Sequence, residues 1–449
     1  MARGLDRRRL VRHAAVAVAA RLATRGVPAV AAARPATQVR GALRYQLVAA
    51  APAEIQVAQD LIDSEFRRVF PDVSVTVEPA PSNRRDLLLA GMADGTAPDV
   101  FDTWRDDVVA YAAHGQVLDL EPLVGRDLPP AEVADFFPWQ WADFKLPNGP
   151  RFGMPKYVNL MTVWYNRDLF AAAGLALPDD TWDHARYAEA ARALTRRVGD
   201  RTETWGLYYP AFALDRFAYK VAAWGGHVVD PADDTLAAFG SPEALAAAEW
   251  VRALTFDDGA NAPRDRLFPT GGGVVATVDA FAAGRVAMVE DGLYPFAIAN
   301  AVDRRFAWGF APVPIGPAGR HALGTADGFA VWAGTPNPEA AWELVKFLSG
   351  ARYQLGLTVL TGYLPNRFSI LADWQAICAR FYPELAEANL EVATAAMAEG
   401  YPTNRTLFRR DAEAQALIGP ALERVFAFGD APVSLLEQVA AEVTARMRA

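Results

Sequence analysis

Asp99, Asp102, Trp104 and Arg105 fall at or just past the end of a short predicted strand. In an open α/β sheet the C-terminal ends of strands are where ligands bind, so carboxylates, an indole and a guanidinium there point to recognition. Asp102, Asp106 and Asp107 also supply the acids that glycoside hydrolysis needs in facing pairs, although acids are common on any helix surface. Other catalytic patterns are missing. The chain has no G-x-S-x-G, no phosphate loop ending in G-K-[ST], no G-x-G-x-x-G and no H-E-x-x-H. Its five histidines, His13, His114, His184, His227 and His321, never pair at metal-ligand spacing. Gly271-Gly272-Gly273 has no lysine after it and reads as a loop rather than a phosphate cradle. The expectation is a binder, not an enzyme, with no cofactor and no metal. The one cysteine, Cys378, excludes an internal disulfide and a multi-cysteine metal site, and it reads as a buried thiol on a helix over 373–380.

The elements that position these residues must come from more than one core, because 449 residues suggest two or three domains. The composition is globular, with 52% hydrophobic and 22% charged residues. No stretch reaches the roughly 18 consecutive apolar residues that span a bilayer, so direct membrane insertion is not expected. Residues 1–40 hold nine Arg and one acid, and removing them leaves 35 basic against 52 acidic residues, a net of −17. A body that acidic repels phosphate backbones, so nucleic acid is excluded as a partner. Arg7-Arg8-Arg9, the apolar stretch Ala14–Ala20 and the small residues Val30–Ala33 and Ala36 resemble a twin-arginine export signal, although Arg21 and Arg25 interrupt the apolar part. No cysteine lies near the cleavage region to carry a lipid anchor.

From Gly41 on, strands and helices alternate. Leu43–Ala49 reads as a strand, Glu54–Phe70 as a helix ended by Pro71, and Val73, Val75 and Val77 as an alternating strand. Arg84–Ala93 and Asp106–Ala113 read as helices flanking a strand over 99–101. This order implies an α/β fold with a mainly parallel sheet. The turn-rich stretches Pro129–Pro150, Ala311–Pro317 and Leu364–Arg367 read as passages between lobes. Between them Leu160–Tyr165 and Gly328–Ala333 are strands. Helices start at Thr181-Trp182-Asp183, with Thr181 as cap, at Ser241-Pro242-Glu243 and at Asn337-Pro338-Glu339.

A family resemblance rests on the order of several motifs. Gly95–Val100 resembles a G-x-x-P-D-V loop. Phe152–Pro155 with Val163–Phe170 is similar to a G-x-P…Y-N-K-D-L-F segment, continued by Ala173-Gly174-Leu175 and Thr181-Trp182-Asp183. Trp205-Gly206, Trp224-Gly225-Gly226, Phe281–Met288 with Asp291-Gly292, Pro312–Gly319, Ala340–Leu348 and Gly362–Pro365 follow in order. Together, over about residues 41–440, they resemble the extracellular solute-binding proteins of ABC importers, in the maltose-binding-like carbohydrate branch. The resemblance implies a type II periplasmic-binding-protein fold: two α/β lobes, each discontinuous, joined by a multi-segment hinge that closes on a ligand between them like a Venus flytrap. It implies an exported monomer, periplasmic or cell-surface, that captures a carbohydrate for a membrane permease. The expected division is an export segment over 1–40, lobe 1 over 41–150 and 312–360, and lobe 2 over 151–311 and 361–449.

Sugars offer hydroxyl rims and C–H faces, so carboxylates, amides and guanidinium groups suit the rims and aromatic rings suit the faces. Most of the 12 Trp are expected to be ordinary packing. The resemblance puts an aromatic platform at Trp104, polar contacts near Ala50–Glu54, a stacking ring near Tyr208-Tyr209 and another at Tyr294. Tyr157 and Asn159 precede the lobe 2 strand, and Asn159 stands where the maltose-binding pattern has a sugar-contacting carboxylate, which argues against a malto-oligosaccharide. Trp224 and Gly225 bring backbone amides to a ligand or form a tight turn. Asn83 caps a helix or meets the ligand, Asp327 reaches it from the returning segment, and Arg367 meets it or forms a salt bridge. The alternatives are a solute-binding protein for a polyamine or glycerol phosphate, and a secreted glycoside hydrolase.

Overall fold

The structure is a computed structural model that describes residues 39–449 other than 49–51, 147–148, 270 and 404–405. The expected export segment lies outside the described residues apart from Val39 and Arg40, and so does the start of the 50–54 loop. Ten strands occur among the described residues: β1 (Gly41–Leu47), β2 (Val73–Pro79), β3 (Val100–Trp104), β4 (Met154–Asn166), β5 (Arg196–Val198), β6 (Arg201–Tyr208), β7 (Val286–Gly292), β8 (Trp308–Ala311), β9 (Ala322–Val331) and β10 (Pro402–Thr403). With the helices between them they make an α/β protein of two compact units. Unit 1 runs to Asn159 and resumes over Thr325–Phe381; unit 2 is Leu160–Gly324 and Tyr382–Ala449.

In unit 1 the strands lie in the order β2-β1-β3-β9. The first three are parallel, and β9 runs antiparallel to β3 with Trp104 opposite Asp327. Val73, Val75 and Val77 are buried while Ser74 and Thr76 face out, as period-two alternation requires. Leu88 and Met92 of the helix Arg84–Asp94 and Val108 and Tyr111 of the helix Arg105–Ala113 pack with Phe101 in one core. In unit 2, β4 is antiparallel to β7 and β8, and β6 is parallel to β7. The helix His184–Leu194 lies so close to β6 that a Cβ on Gly206 would sit 1.7 Å from the Ala191 carbonyl oxygen.

Several sequence expectations need correction. The prolines of 129–150 do not mark a passage between units. Pro130 and Pro138 open the short helices Pro130–Val133 and Pro138–Asp143 inside unit 1, where a first-turn proline loses no hydrogen bond. The chain changes unit at 159/160, 324/325 and 381/382, where the sequence reading set 150/151, 311/312 and 360/361. After Pro312 the chain stays with unit 2 because Trp182 Nε1 donates to the Pro312 carbonyl and Ile315 bridges to Asp183. After Leu364 it stays with unit 1, where the Val158 amide donates to the Leu364 carbonyl. Asp183, not Thr181, caps the helix His184–Leu194, accepting from the Arg186 amide at 2.9 Å, while the Thr181 hydroxyl donates to Asp179. The start at Ser241 is as expected, with its hydroxyl accepting from the Ala244 amide. So is the helix Leu371–Phe381 with Cys378 buried in it, where burial pushes the thiol up.

Candidate functional site

The strands β1, β2 and β3 of unit 1 all end on one edge of their sheet, and helices start there at Pro52, Arg84 and Arg105. Asp102 is buried two residues before that edge. Its carboxylate accepts from the Tyr45 hydroxyl and the Val48 amide at 2.8 Å each, and from Lys156 Nζ at 2.5 Å. It thus ties the end of β1 to β4 and leaves no free charge of its own. Burial, then the charge on Asp102, keeps the Tyr45 phenol well above its usual range, so it stays a donor.

Trp104 ends β3 and is half-buried. The Arg84 guanidinium lies 3.8 Å from its ring centre and pairs with buried Asp107 at 2.6 Å, while Arg85 pairs with the same carboxylate at 3.0 Å. Asp327 sits beside Trp104 across the ladder. Its carboxyl is buried near Trp104, Tyr157 and Lys156, and its Oδ1 has no partner. Burial is the main cause that raises it to about 7; Lys156 lowers it and Asp102 raises it. The Tyr157 ring packs against that of Tyr363 at 4.5 Å, tilted by 42°, with Lys156 4.6 Å over it. Asp102, Trp104, Tyr157 and Asp327 are therefore brought together, and Asn159 follows on the same strand β4.

Two expected unit 1 residues are not part of this group. Asp99 precedes β3, so it lies at the opposite end of the strand from Trp104, where it accepts from the Arg44 amide and the Thr335 hydroxyl. It lines a separate pocket of about 310 Å³ with Arg44, Thr96 and Trp332. The sequence reading started the strand one residue early and ended it three too soon. Arg367 is buried in ion pairs to Glu132 at 3.1 Å and Asp135 at 3.6 Å, with Phe136 against its guanidinium, and so is structural. Asn83 stands at the N-cap of its helix without a side-chain cap bond.

In unit 2 the parallel strands β6 and β7 end at Tyr208 and Gly292, and the helices Leu214–Ala223 and Pro295–Val302 start on that edge. Arg216 pairs with Asp291 at 2.8 Å. Tyr294 is half-buried, its ring 5.9 Å from Trp164, and Phe268 lies edge-on to Tyr208 at 5.1 Å. Arg264, over Phe212, pairs with Glu423 at 2.9 Å. Tyr209 turns inward instead: its hydroxyl donates to the Arg216 carbonyl and its ring lies over Lys220. Trp224 and Gly225 follow the C-terminal end of the helix Leu214–Ala223, about 15 Å back from the edge. Trp224 packs on His184 and Trp250, and Gly225, at φ +85°, makes the turn that follows. Neither joins Tyr294.

Arg84, Lys156, Arg216 and Asp291 were not expected at the site. Asp291 lies inside a quoted motif and Lys156 directly follows one, but as charged residues in strands they carry no signal until their partners are known. A further buried group underlies unit 2. Glu290 accepts from Lys220 at 2.9 Å and from the Tyr187 and Tyr219 hydroxyls at 2.6 and 2.7 Å. His184 Nε2 lies 3.3 Å from the Lys220 ammonium, and burial followed by that charge pushes the imidazole down to about 2.

Comparison with known proteins places this geometry. An uncharacterized lipoprotein from the oleD 5′ region of Streptomyces antibioticus is 26% identical over 370 residues, 80% of this chain and 79% of that protein. A diacetylchitobiose-binding protein of Streptomyces coelicolor is 23% identical over 291 residues, 64% of each chain. A solved ABC substrate-binding protein of Listeria monocytogenes, in complex with cycloalternan, superposes with a TM-score of 0.74 at 20% identity, covering 91% of this chain and 98% of that one. The fold is thus that of the two-lobed periplasmic binding proteins. Residues 50–355 match the bacterial extracellular solute-binding proteins, and the chain belongs to that family.

Proposed function

We propose that this protein captures a carbohydrate outside the cytoplasmic membrane and hands it to the permease of an ABC importer, without chemical turnover. The observation that carries this reading is the half-buried Trp104 ring at the strand-end edge of unit 1, paired across the ladder with the buried Asp327 and two residues from the buried Asp102. A flat ring next to fixed polar groups suits a molecule with C–H faces and hydroxyl rims. Tyr294 gives unit 2 a ring of the same kind at its own strand-end edge. The diacetylchitobiose and cycloalternan in the names of similar proteins support the same class.

The charges argue against an anionic solute. Arg84 and Arg85 are committed to Asp107, Arg216 to Asp291 and Arg264 to Glu423. A phosphate would have to displace a carboxylate at each of them. Hydrolysis is disfavoured because the Asp102 carboxylate is already held by Lys156, Tyr45 and Val48.

Calorimetry and tryptophan fluorescence against mono- and oligosaccharides and polyols test the reading. A sugar is expected to bind, and Trp104→Ala to weaken it roughly 10–100-fold, the value of about 1.5–3 kcal/mol for a buried ring. Binding of glycerol phosphodiesters alone, or release of product from chromogenic glycosides, overturns it.

A further inference from the structure

Trp104 does not have two open faces. Arg84, the first residue of the helix Arg84–Asp94, places its guanidinium carbon 3.8 Å from the centre of the indole. Carbon atoms in contact lie about 3.5–4 Å apart, so no sugar fits on the face that Arg84 covers. The guanidinium is itself held. Its side chain is 16% exposed and pairs at 2.6 Å with Asp107, which is 5% exposed. Asp107 Oδ2 takes Arg84 and Oδ1 takes Arg85 at 3.0 Å, so both oxygens of the carboxylate are engaged. Both ends of the pair stand on one core: Leu88 and Met92 of the Arg84 helix and Val108 and Tyr111 of the Asp107 helix pack with Phe101. Trp104 is the last residue of β3 and immediately precedes the Asp107 helix. The ladder to Asp327 fixes its backbone but leaves its side-chain torsions to packing.

We propose that Arg84 is a positioning residue for Trp104: its guanidinium, held by the buried Asp107, covers one face of the indole and fixes the ring, so that only the opposite face meets the ligand. The part about the ligand rests on the carbohydrate reading; the part about the ring does not. A guanidinium over an indole is favoured by the ring quadrupole and by its own flat, delocalised charge, and the gain grows where water is excluded. A ring held before the ligand arrives loses less entropy when the ligand binds. Without Arg84 the indole gains a second open face and other rotamers, and the ligand must then order it. Trp104 is thus a one-sided platform, which a sugar approaches from the face away from Arg84. An Arg84–Asp107 pair that merely tied two helix starts together would leave the ring indifferent to its loss.

The experiment is acrylamide quenching of tryptophan fluorescence in the full chain without ligand, with Trp104→Phe subtracted in each background to isolate one indole. Arg84→Ala is expected to raise the quenching of Trp104 about twofold, because a second ring face opens. Arg84→Lys keeps a charge beside Asp107 but lacks the flat group, so it is expected to melt near wild type and still to quench more readily. Asp107→Asn, which loosens the hold on Arg84, is expected to act in the same direction and serves if Arg84→Ala does not fold. Quenching of Trp104 that stays at the wild-type level in the folded variants, or that Arg84→Lys restores in full, overturns the inference. With a sugar identified by calorimetry, Arg84→Ala is expected to raise Kd about threefold to tenfold. In a Trp104→Ala background the same change is expected to alter Kd by no more than about twofold, because Arg84 acts through the ring. An effect of equal size in both backgrounds means that Arg84 meets the sugar directly, and it overturns the inference. If no sugar binds, the carbohydrate reading fails, and the ligand-free quenching still decides the role of Arg84.

Discussion

Lys220→Met probes the interior of unit 2. Glu290 is 0% exposed and Lys220 1%, so neither charge is screened by water. Glu290 holds three donors, Lys220 Nζ at 2.9 Å, Tyr187 at 2.6 Å and Tyr219 at 2.7 Å. Lys220 is wrapped by Tyr209 at 4.4 Å and by Tyr219, Tyr187 and Trp250 at 5.6 to 5.7 Å. Methionine fills the space of the lysine stem but leaves a buried carboxylate with only two neutral donors. Breaking one side of such a pair costs about 3–5 kcal/mol, whereas removing both charges with shape kept is close to neutral. For a unit of this size that corresponds to a fall of roughly 6–20 °C in its melting transition. Glu290→Gln alone should be milder than Lys220→Met, because burial already lowers the Lys220 pKa and lets the amine lose its proton. The pair Lys220→Met with Glu290→Gln should recover most of the loss. Differential scanning calorimetry of the four proteins gives the coupling energy directly. A Lys220→Met transition within about 1 kcal/mol of wild type, or a double variant as unstable as the two singles added, refutes the reasoning.

Two other perturbations have definite signs. His184, held down to about 2, stays neutral in the folded protein, so it favours folding fully above 6.5 and loses that contribution as the pH falls below 6.5. His184→Gln is expected to flatten the acid side of the stability curve, by up to about 1.4 kcal/mol per pH unit, in melts between pH 7 and 4.5. Gly206→Ala would drive a methyl into the Ala191 carbonyl oxygen, and because both atoms belong to backbone it is expected to abolish soluble unit 2, read by far-UV circular dichroism and expression.

Much of the fold was legible because its signals are local. The alternation at Val73, Val75 and Val77, the Ser241-Pro242-Glu243 cap and the Asn337-Pro338 start each depend on a few neighbouring residues, and the structure has all three elements. Proline density was a poor guide to where the chain changes unit. Proline tells only that a hydrogen-bond donor is missing, and a helix's first turn satisfies that as well as a crossing does. At the site, strand-end logic found Asp102 and Trp104 but misplaced Asp99, because a strand boundary shifted by a few residues moves a side chain from one edge of a sheet to the other. At Trp224-Gly225 the tight turn is the alternative that the structure has, because the helix before it carries the pair back to the far end. The commitments of Arg84 to Asp107 and Lys156 to Asp102 join residues distant in sequence, and no spacing rule encodes them.

The pairing of β3 with β9 has a consequence for the newly made chain. Until residues 325–331 have been synthesised, β3 has β1 on one side and nothing on the other. Its Val100-Phe101 stretch is then an apolar strand with unsatisfied backbone groups, the kind of edge that recruits other chains. A polypeptide stopped short of Gly328 should therefore aggregate rather than persist as half a protein, and its maturation should be slow because the closing partner arrives so late.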